Sequence, residues 1–276
     1  MGFWDRPAAR RLRRINGVVP DLKSIPGVLG RIARRRLSSV ASIDYDPALT
    51  LPEKRASFRE ALAAPGLAVI AEIKRKSPSK GEIADLDAAE VALAYKRGGA
   101  RAISVLTEPE FFGGSDEDLL SVARAVDLPL LRKDFVVHPR QVWQARALGA
   151  SAVLLIAAIL GSYTAAYVKE ARNAGLDALL EVHDERELEA AILAGADIIG
   201  INNRDLTSLE VNIANAPRLA QRARQLGYEG LLVAESGYYE QQQLQAIAEC
   251  CDAVLIGSSL AASADPQAAL EKLLRG

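Results

Sequence analysis

Eight short apolar runs punctuate the chain after residue 66, and their alternation with helical segments constrains the fold more than any other feature. The runs are Leu67–Lys74, Ala102–Thr107, Leu128–Lys133, Ala152–Ala157, Ala178–His183, Asp197–Asn202, Gly230–Glu235 and Ala253–Gly257. Continuous apolar runs of this length predict parallel strands buried on both faces, not half-exposed antiparallel ones. Segments such as 87–97, 139–148, 185–194 and 239–248 carry the spacing of amphipathic helices. Three runs are entered through the same pair, Gly99-Ala100, Gly149-Ala150 and Gly195-Ala196, where glycine suits a left-handed helix end. Eight such units predict a TIM (β/α)8 barrel of the α/β class. An open doubly wound sheet competes, but it usually carries a Gly-rich nucleotide loop after its first strand. Here that strand runs into Glu72-Ile73-Lys74-Arg75-Lys76-Ser77-Pro78-Ser79-Lys80-Gly81, which is no such loop.

Ahead of the barrel the charge balance changes. Residues 1–40 carry a net +8 and the remainder a net −9, leaving −1 overall. The basic start reads as a solvated arm. No aromatic residues interleave its arginines as they do in nucleic-acid grooves, so no nucleic-acid partner is expected. The division expected is a basic arm and covering helix over 1–45 and a catalytic barrel over 46–276. No apolar stretch approaches the roughly twenty residues of a membrane span, so no membrane partner is expected. The first fourteen residues lack the apolar core of a secretory signal. Arg6 stands where N-myristoylation needs Ser or Thr. Cys250 and Cys251 are adjacent and could staple no loop, which reads as cytoplasmic. With only His138 and His183, a multi-histidine metal site is not expected, and proton transfer must rest on Lys, Glu or Asp.

In a TIM barrel the site gathers at the carboxyl ends of the strands. The polar residues there are Glu72 and Lys74; Arg132, Lys133 and Asp134; Glu181 and His183; Asn202, Asn203 and Arg204; Glu235, Ser236 and Gly237; and Gly257, Ser258 and Ser259. Side chains at i and i+2 share a face, so Glu72 and Lys74 point the same way. A charge inside an apolar run costs several kcal/mol unless it is paired. One such residue reads equally well as an internal ion pair closing the barrel. Glu72, Lys74, Lys133, Glu181 and Asn202 on four strand ends read as a site. Ser236-Gly237 and Gly257-Ser258 follow the seventh and eighth runs, where barrels of this type build phosphate sites from free backbone N–H groups and a helix N-terminus. A phosphate grip facing lysines and glutamates suits proton transfer on a sugar phosphate, or Schiff-base chemistry on a lysine.

The chain resembles the indole-3-glycerol phosphate synthases of tryptophan biosynthesis over roughly residues 28–272. The motifs are Ile70-Ala71-Glu72-Ile73-Lys74-Arg75 with Ser77-Pro78-Ser79; Ser104-Val105-Leu106-Thr107-Glu108 with Phe111-Phe112-Gly113-Gly114-Ser115; Leu131-Arg132-Lys133-Asp134-Phe135; Leu180-Glu181-Val182-His183; Ile199-Gly200-Ile201-Asn202-Asn203-Arg204-Asp205-Leu206; Ala234-Glu235-Ser236-Gly237; and Leu255-Ile256-Gly257-Ser258-Ser259-Leu260. The resemblance implies conversion of 1-(2-carboxyphenylamino)-1-deoxyribulose 5-phosphate to indole-3-glycerol phosphate, with loss of carbon dioxide and water and without a cofactor or metal. It implies Lys133 as general acid, Glu181 as base, Lys74 as anion partner tuned by Glu72, and Asn202 on the reacting hydroxyl region. Arg204 and Ser77 would hold the substrate carboxylate, and Ser236, Gly237, Gly257 and Ser258 the phosphate. Leu106, Phe111 or Phe112, Phe135, Leu155 and Leu206 would wall the aromatic ring. Barrel packing accounts for Leu155 nearly as well.

Further expectations follow from the same residues. To act as an acid near neutral pH, Lys133 needs a pKa below the ordinary lysine value of about 10.4, with Lys74 as the cation that lowers it. His138 is expected as an exposed helix start. His183 shares a face with Glu181 and is expected to support it rather than react. The segment 27–40 resembles the family's covering helix, whose arginines would draw in phosphate. Residues 1–24 have no functional reading, and the barrel is expected to fold without them. A monomer acting on one sugar-phosphate/anthranilate substrate is expected. Competing readings are phosphoribosylanthranilate isomerase, an aldolase using Lys133, and a non-catalytic nucleic-acid binder. The isomerase chemistry expects a strand-end cysteine, and here both cysteines precede the eighth run.

Overall fold

The computed structural model describes residues 18–40, 53, 55–78, 81–83, 86–205 and 208–275. Eight parallel strands close into one barrel: β1 (Ala68–Ile73), β2 (Ala102–Leu106), β3 (Leu130–Lys133), β4 (Ala152–Ile156), β5 (Asp177–Val182), β6 (Ile198–Asn202), β7 (Leu231–Glu235) and β8 (Ala253–Ile256). Each strand neighbours the next in sequence, and β8 returns to β1 with Ala253 opposite Ala68. Each expected run overlaps one of these strands; seven contain theirs whole, and β5 begins one residue before its run, at Asp177. Their residues are almost all buried, as strands packed on the barrel interior inside and on helices outside must be.

The Gly-Ala pairs end their helices as anticipated. Gly99, Gly149 and Gly195 have φ of 98°, 87° and 71°. The N–H of each following alanine bonds back to a carbonyl five residues earlier, as Ala100 to Tyr95 at 3.0 Å. The turn into the next strand is thus written into each unit.

Three pieces escaped the periodic reading. A two-stranded ribbon, Lys76–Ser77 with Gly81–Glu82, follows β1. Helix Phe58–Ala63, capped by Ser57, packs the buried Phe58 and Leu62 against β1, β2 and β7. Residues ahead of the covering helix also pack: Leu22 and Ile25 are buried, and the Val18 carbonyl accepts from the Tyr167 hydroxyl at 2.9 Å. Residues 18–24 therefore make contacts with the folded barrel. Residues 1–17 of the arm lie outside the described residues.

The helix Gly27–Val40 forms as expected and turns Val28, Leu29 and Ile32 toward the barrel mouth. Three of its four arginines make contacts within the protein. Arg34 donates to the carbonyls of Leu22 and Ile25, Arg35 pairs with Glu110, and Arg36 makes a buried double hydrogen bond to Asp134. His138 is buried, not exposed; its Nδ1 caps helix Pro139–Ala147 by accepting from the Arg140 N–H at 3.1 Å.

Candidate active site

At the carboxyl end of the barrel the register lines up charges that the sequence places far apart. Lys74 Nζ donates to Glu72 Oε1 at 2.6 Å. Lys133 Nζ lies 3.3 Å from Glu72 Oε2 and donates to Glu235 Oε2 at 2.8 Å. Glu72 thus bridges both lysines, and all four side chains are largely withdrawn from water. Burial opposes ionisation of Glu72, but the two lysines outweigh it and lower its pKa to about 2. Burial likewise opposes the charge on Lys133, yet Glu235, Glu72 and Glu181 together raise its pKa above the ordinary lysine value. This reverses the expectation of a lowered lysine: its near neighbours are carboxylates, and Lys74 is turned to Glu72. Glu235 goes the other way. Burial and repulsion from Glu181 and Glu72 exceed the pull of Lys133 and push its pKa up to about 7.

Glu181 enters from β5 beside this network. Burial raises its pKa, but His183, Lys133 and a hydrogen bond from Asn202 more than offset that and leave it below the usual carboxylate range. Asn202, at the end of β6, also accepts the Arg204 N–H at 2.9 Å. The Arg204 guanidinium is braced by the Leu209 carbonyl at 2.7 Å and faces the same cavity.

Small residues make the crowding feasible. A Cβ at Gly257 would lie 2.2 Å from Glu72 Oε1, and one at Gly200 would lie 2.2 Å from Glu235 Oε1. These two positions have no side chain because carboxylates occupy the space. At the turn after β7, Ser236 adopts φ 68°, a conformation that costs a non-glycine residue about 1–3 kcal/mol. Asn203 holds that turn by donating to the Ser236 carbonyl at 2.9 Å and the Tyr238 hydroxyl at 3.1 Å. Ser258 opens a short helix, Ser258–Ala261, whose first N–H groups have no partner within the helix.

These groups surround one cavity of about 710 Å³. It brings together Glu72, Lys74, Ser77, Leu106, Phe112, Lys133, Phe135, Glu181, Asn202, Arg204, Ser236, Gly237, Gly257 and Ser258. Phe112 and Phe135 approach each other with ring centroids 5.8 Å apart. Phe111 does not line the cavity, so of the two adjacent phenylalanines Phe112 is the wall. Leu155 is not on the wall either; strand alternation turns Leu154 and Ile156 inward and Leu155 away. Leu206 lies outside the described residues. Among the described residues, no group of three or more His, Cys, Asp or Glu is placed to hold a metal ion.

Glu235, Asn203 and Asp134 are the functional neighbours that sequence reasoning did not select. Glu235 had a signal: two lysines and two glutamates left a third buried carboxylate at a strand end without a role. Asp134 accepts from Thr107, Arg132 and Arg36, and so ties the end of β3 to the covering helix. That link crosses 98 positions and leaves no local trace.

Among solved structures, a thiamine phosphate pyrophosphorylase from Pyrococcus furiosus matches with TM-score 0.56 at 17% identity, covering 79% of this chain and 96% of that one. A mutant tryptophan synthase alpha-subunit from the same organism matches with TM-score 0.57 at 13% identity, covering 76% and 98%. Both likenesses are of fold alone. The family model for indole-3-glycerol phosphate synthase matches residues 29–273. An indole-3-glycerol phosphate synthase of Deinococcus radiodurans is 48% identical over 92% of this chain and 97% of its own length. A second such protein, from Streptomyces coelicolor, is 43% identical over 94% and 97%. A match across the whole barrel, with identity at this level over nine-tenths of the chain, shows that the protein belongs to the indole-3-glycerol phosphate synthase family.

Proposed function

We propose that this chain closes the indole ring of 1-(2-carboxyphenylamino)-1-deoxyribulose 5-phosphate, releasing carbon dioxide and water to give indole-3-glycerol phosphate. The observation that carries the reading is Lys133, held between Glu235 and Glu72 at the mouth of the cavity that the Ser236-Gly237 and Gly257-Ser258 turns line. Lys133 donates a proton to the ribulose carbonyl as the ring carbon attacks it. Loss of the ring carboxylate as carbon dioxide restores the benzene ring; the new hydroxyl then takes a second proton, from Lys74, and leaves as water. Glu181 accepts the proton lost from the carbon beside nitrogen as the indole forms, Asn202 orients the hydroxyl that leaves, and the lysines recover their protons from solvent, so one proton is consumed overall. Lys74, turned to Glu72 on one side, supplies positive charge to the substrate anions. Arg204 and Ser77 steady the carboxylate until it departs, and the turns at Ser236-Gly237 and Gly257-Ser258 take the phosphate. Phe112, Phe135, Leu106, Leu154 and Ile156 stack and wall the aromatic ring, and Val28, Leu29 and Ile32 roof it.

The surroundings of Lys133 disfavour a Schiff-base aldolase. A nucleophilic lysine must be neutral, and three carboxylates favour its charged form. No described helix is long and apolar enough to cross a membrane; we place the enzyme in the cytoplasm, as a monomer acting on a small phosphorylated substrate without cofactor or nucleic acid. The test is direct: the purified protein is mixed with the carboxyphenylamino-deoxyribulose phosphate and indole fluorescence is followed. Product formation without added metal or nucleotide is expected. Absence of product, or trapping of a covalent adduct by borohydride, overturns the reading.

A further inference from the structure

Glu181 has a second neighbour that the ring-closure scheme leaves unused. His183, just past the end of β5, places Nε2 3.3 Å from Glu181 Oε1. That nitrogen is buried and too poorly aligned for a hydrogen bond. The other ring nitrogen, Nδ1, lies 3.1 Å from Glu187 Oε2, in the first turn of helix Glu185–Leu193. The same oxygen accepts the His183 backbone N–H at 2.8 Å. The Glu187 carboxylate therefore fixes both the backbone and the ring, and the hydrogen bond at one imidazole nitrogen decides how the other is presented. Asn215 adds a clamp, donating from Nδ2 to the carbonyls of His183 (3.1 Å) and Asn202 (3.2 Å), so the ends of β5 and β6 are held together.

Helix capping explains the backbone bond but not the ring bond. A cap needs Glu187 on the N–H only, yet the ring is drawn in as well and aimed at the one buried carboxylate assigned as base. The three side chains also form a gradient of exposure, 3% at Glu181, 16% at His183 and 20% at Glu187. The line runs from the cavity toward solvent.

We propose that His183, oriented by Glu187, is a positioning residue for Glu181 that holds it ionised and ready to accept a proton. The inference rests on the reading of Glu181 as the base. The groups facing Glu181 are Lys133 from β3, Asn202 from β6, Glu235 from β7 and His183. Those facing His183 are Glu181 and Glu187, whose charges outweigh its burial and push its pKa up to about 10. As an imidazolium it carries a proton on both ring nitrogens, so it acts on Glu181 through its charge and does not itself take up the proton.

The experiment compares His183→Gln and Glu187→Gln with wild type. Glutamine at 187 still accepts the His183 N–H, so it keeps the cap while removing the charge. Loss of a cation within hydrogen-bonding range of a carboxylate shifts its pKa by about 1–3 units. The acid limb of kcat is therefore expected to move up by about one pH unit or more in His183→Gln, and in the same direction by less in Glu187→Gln. KM and thermal stability should stay near wild type, and imidazole added to His183→Gly should restore part of kcat. Unchanged pH profiles in both variants overturn the proposal, as does a loss of kcat matched by a rise in KM. If the wild type shows no turnover, the functional reading fails instead. The inference is then tested on the free protein, where carboxyl-labelled Glu181 must titrate at higher pH in His183→Gln than in wild type by carbon-13 NMR.

Discussion

Lys133 and Glu235 form a buried ion pair across the barrel mouth, Nζ to Oε2 at 2.8 Å, with the glutamate wholly withdrawn from water. The pair keeps the lysine charged and pointed at the cavity, so the acid is loaded before substrate arrives. Removing the proton donor in Lys133→Met should lower kcat by about 10²–10⁴-fold, the usual worth of a general acid. Substrate affinity, read from equilibrium binding, should change little because the phosphate turns are untouched. Since its neighbours raise the pKa of Lys133, the alkaline limb of the wild-type profile should contain no step from this lysine below the ordinary lysine range. Near-normal turnover in the variant would move the acid to Lys74.

Glu235 itself should be visible by titration. Burial and two like charges lift its pKa from 4.5 to about 7, so the folded state holds a proton that the unfolded chain releases earlier. The sign follows: between about 4.5 and 7 the folded state binds more protons, and stability falls as pH rises through that window. Glu235→Gln should flatten this part of the stability curve. It should also delete one carboxyl resonance titrating near pH 7 in carbon-13 spectra of glutamate-labelled protein. A spectrum with no such resonance in the wild type would mean that Lys133 dominates the pair.

The strands were legible and the pairing of charges was not, for one physical reason. Burial on both faces writes a parallel strand as a local apolar run, and each Gly-Ala turn is local too. Which lysine meets which glutamate depends on barrel register. Lys74 beside Glu72 could be read from the i, i+2 rule. Lys133 beside Glu235 could not, being 102 positions apart. Face parity explains the smaller errors. Leu155 is one residue out of phase with the cavity wall, which Leu154 and Ile156 line. The burial of His138 came from a capping box whose partner, Gln141, gave no sign of being fully enclosed.

Gly257 and Ser258 are adjacent but should fail differently. In Gly257→Ala the new methyl falls 2.2 Å from Glu72 Oε1 and 3.1 Å from Lys74 Nζ, so the ion pair must move. A displacement of about 1 Å near the reacting groups costs on the order of 10² in rate, and the loss should appear in kcat. In Ser258→Asp a carboxylate meets the phosphate; like charges facing each other cost several kcal/mol, so KM should rise more than about tenfold. An analogue lacking the phosphate should bind both Ser258→Asp and wild type equally poorly. Equal loss of affinity for both ligands in Ser258→Asp would place the phosphate elsewhere.

The covering helix is tied to the chemistry by one arginine. Arg36 Nε donates to Asp134 Oδ1 at 2.9 Å, and Asp134 follows Lys133 in the chain. The pair is nearly dry, with side-chain exposures of 11% and 0%, whereas the pair of Arg35 with Glu110 is open to solvent at 67% and 51%. Breaking a buried pair costs up to about 3–5 kcal/mol because a charge is left behind. Asp134 keeps Arg132 and Thr107, so Arg36→Ala should cost less than that, and thermal melts should still show a single folded state at lower Tm. The exposed partner gives the control: Arg35→Ala should change stability by no more than about 1 kcal/mol. The kinetic consequence is a rise in KM in Arg36→Ala, since Val28, Leu29 and Ile32 line the cavity from a helix no longer pinned. Lys133 stays on its strand, held by Glu72 and Glu235, so kcat should fall much less than KM rises. If kcat collapses while KM holds, Arg36 acts through Asp134 on the acid itself, and the helix is part of the catalytic support rather than a roof.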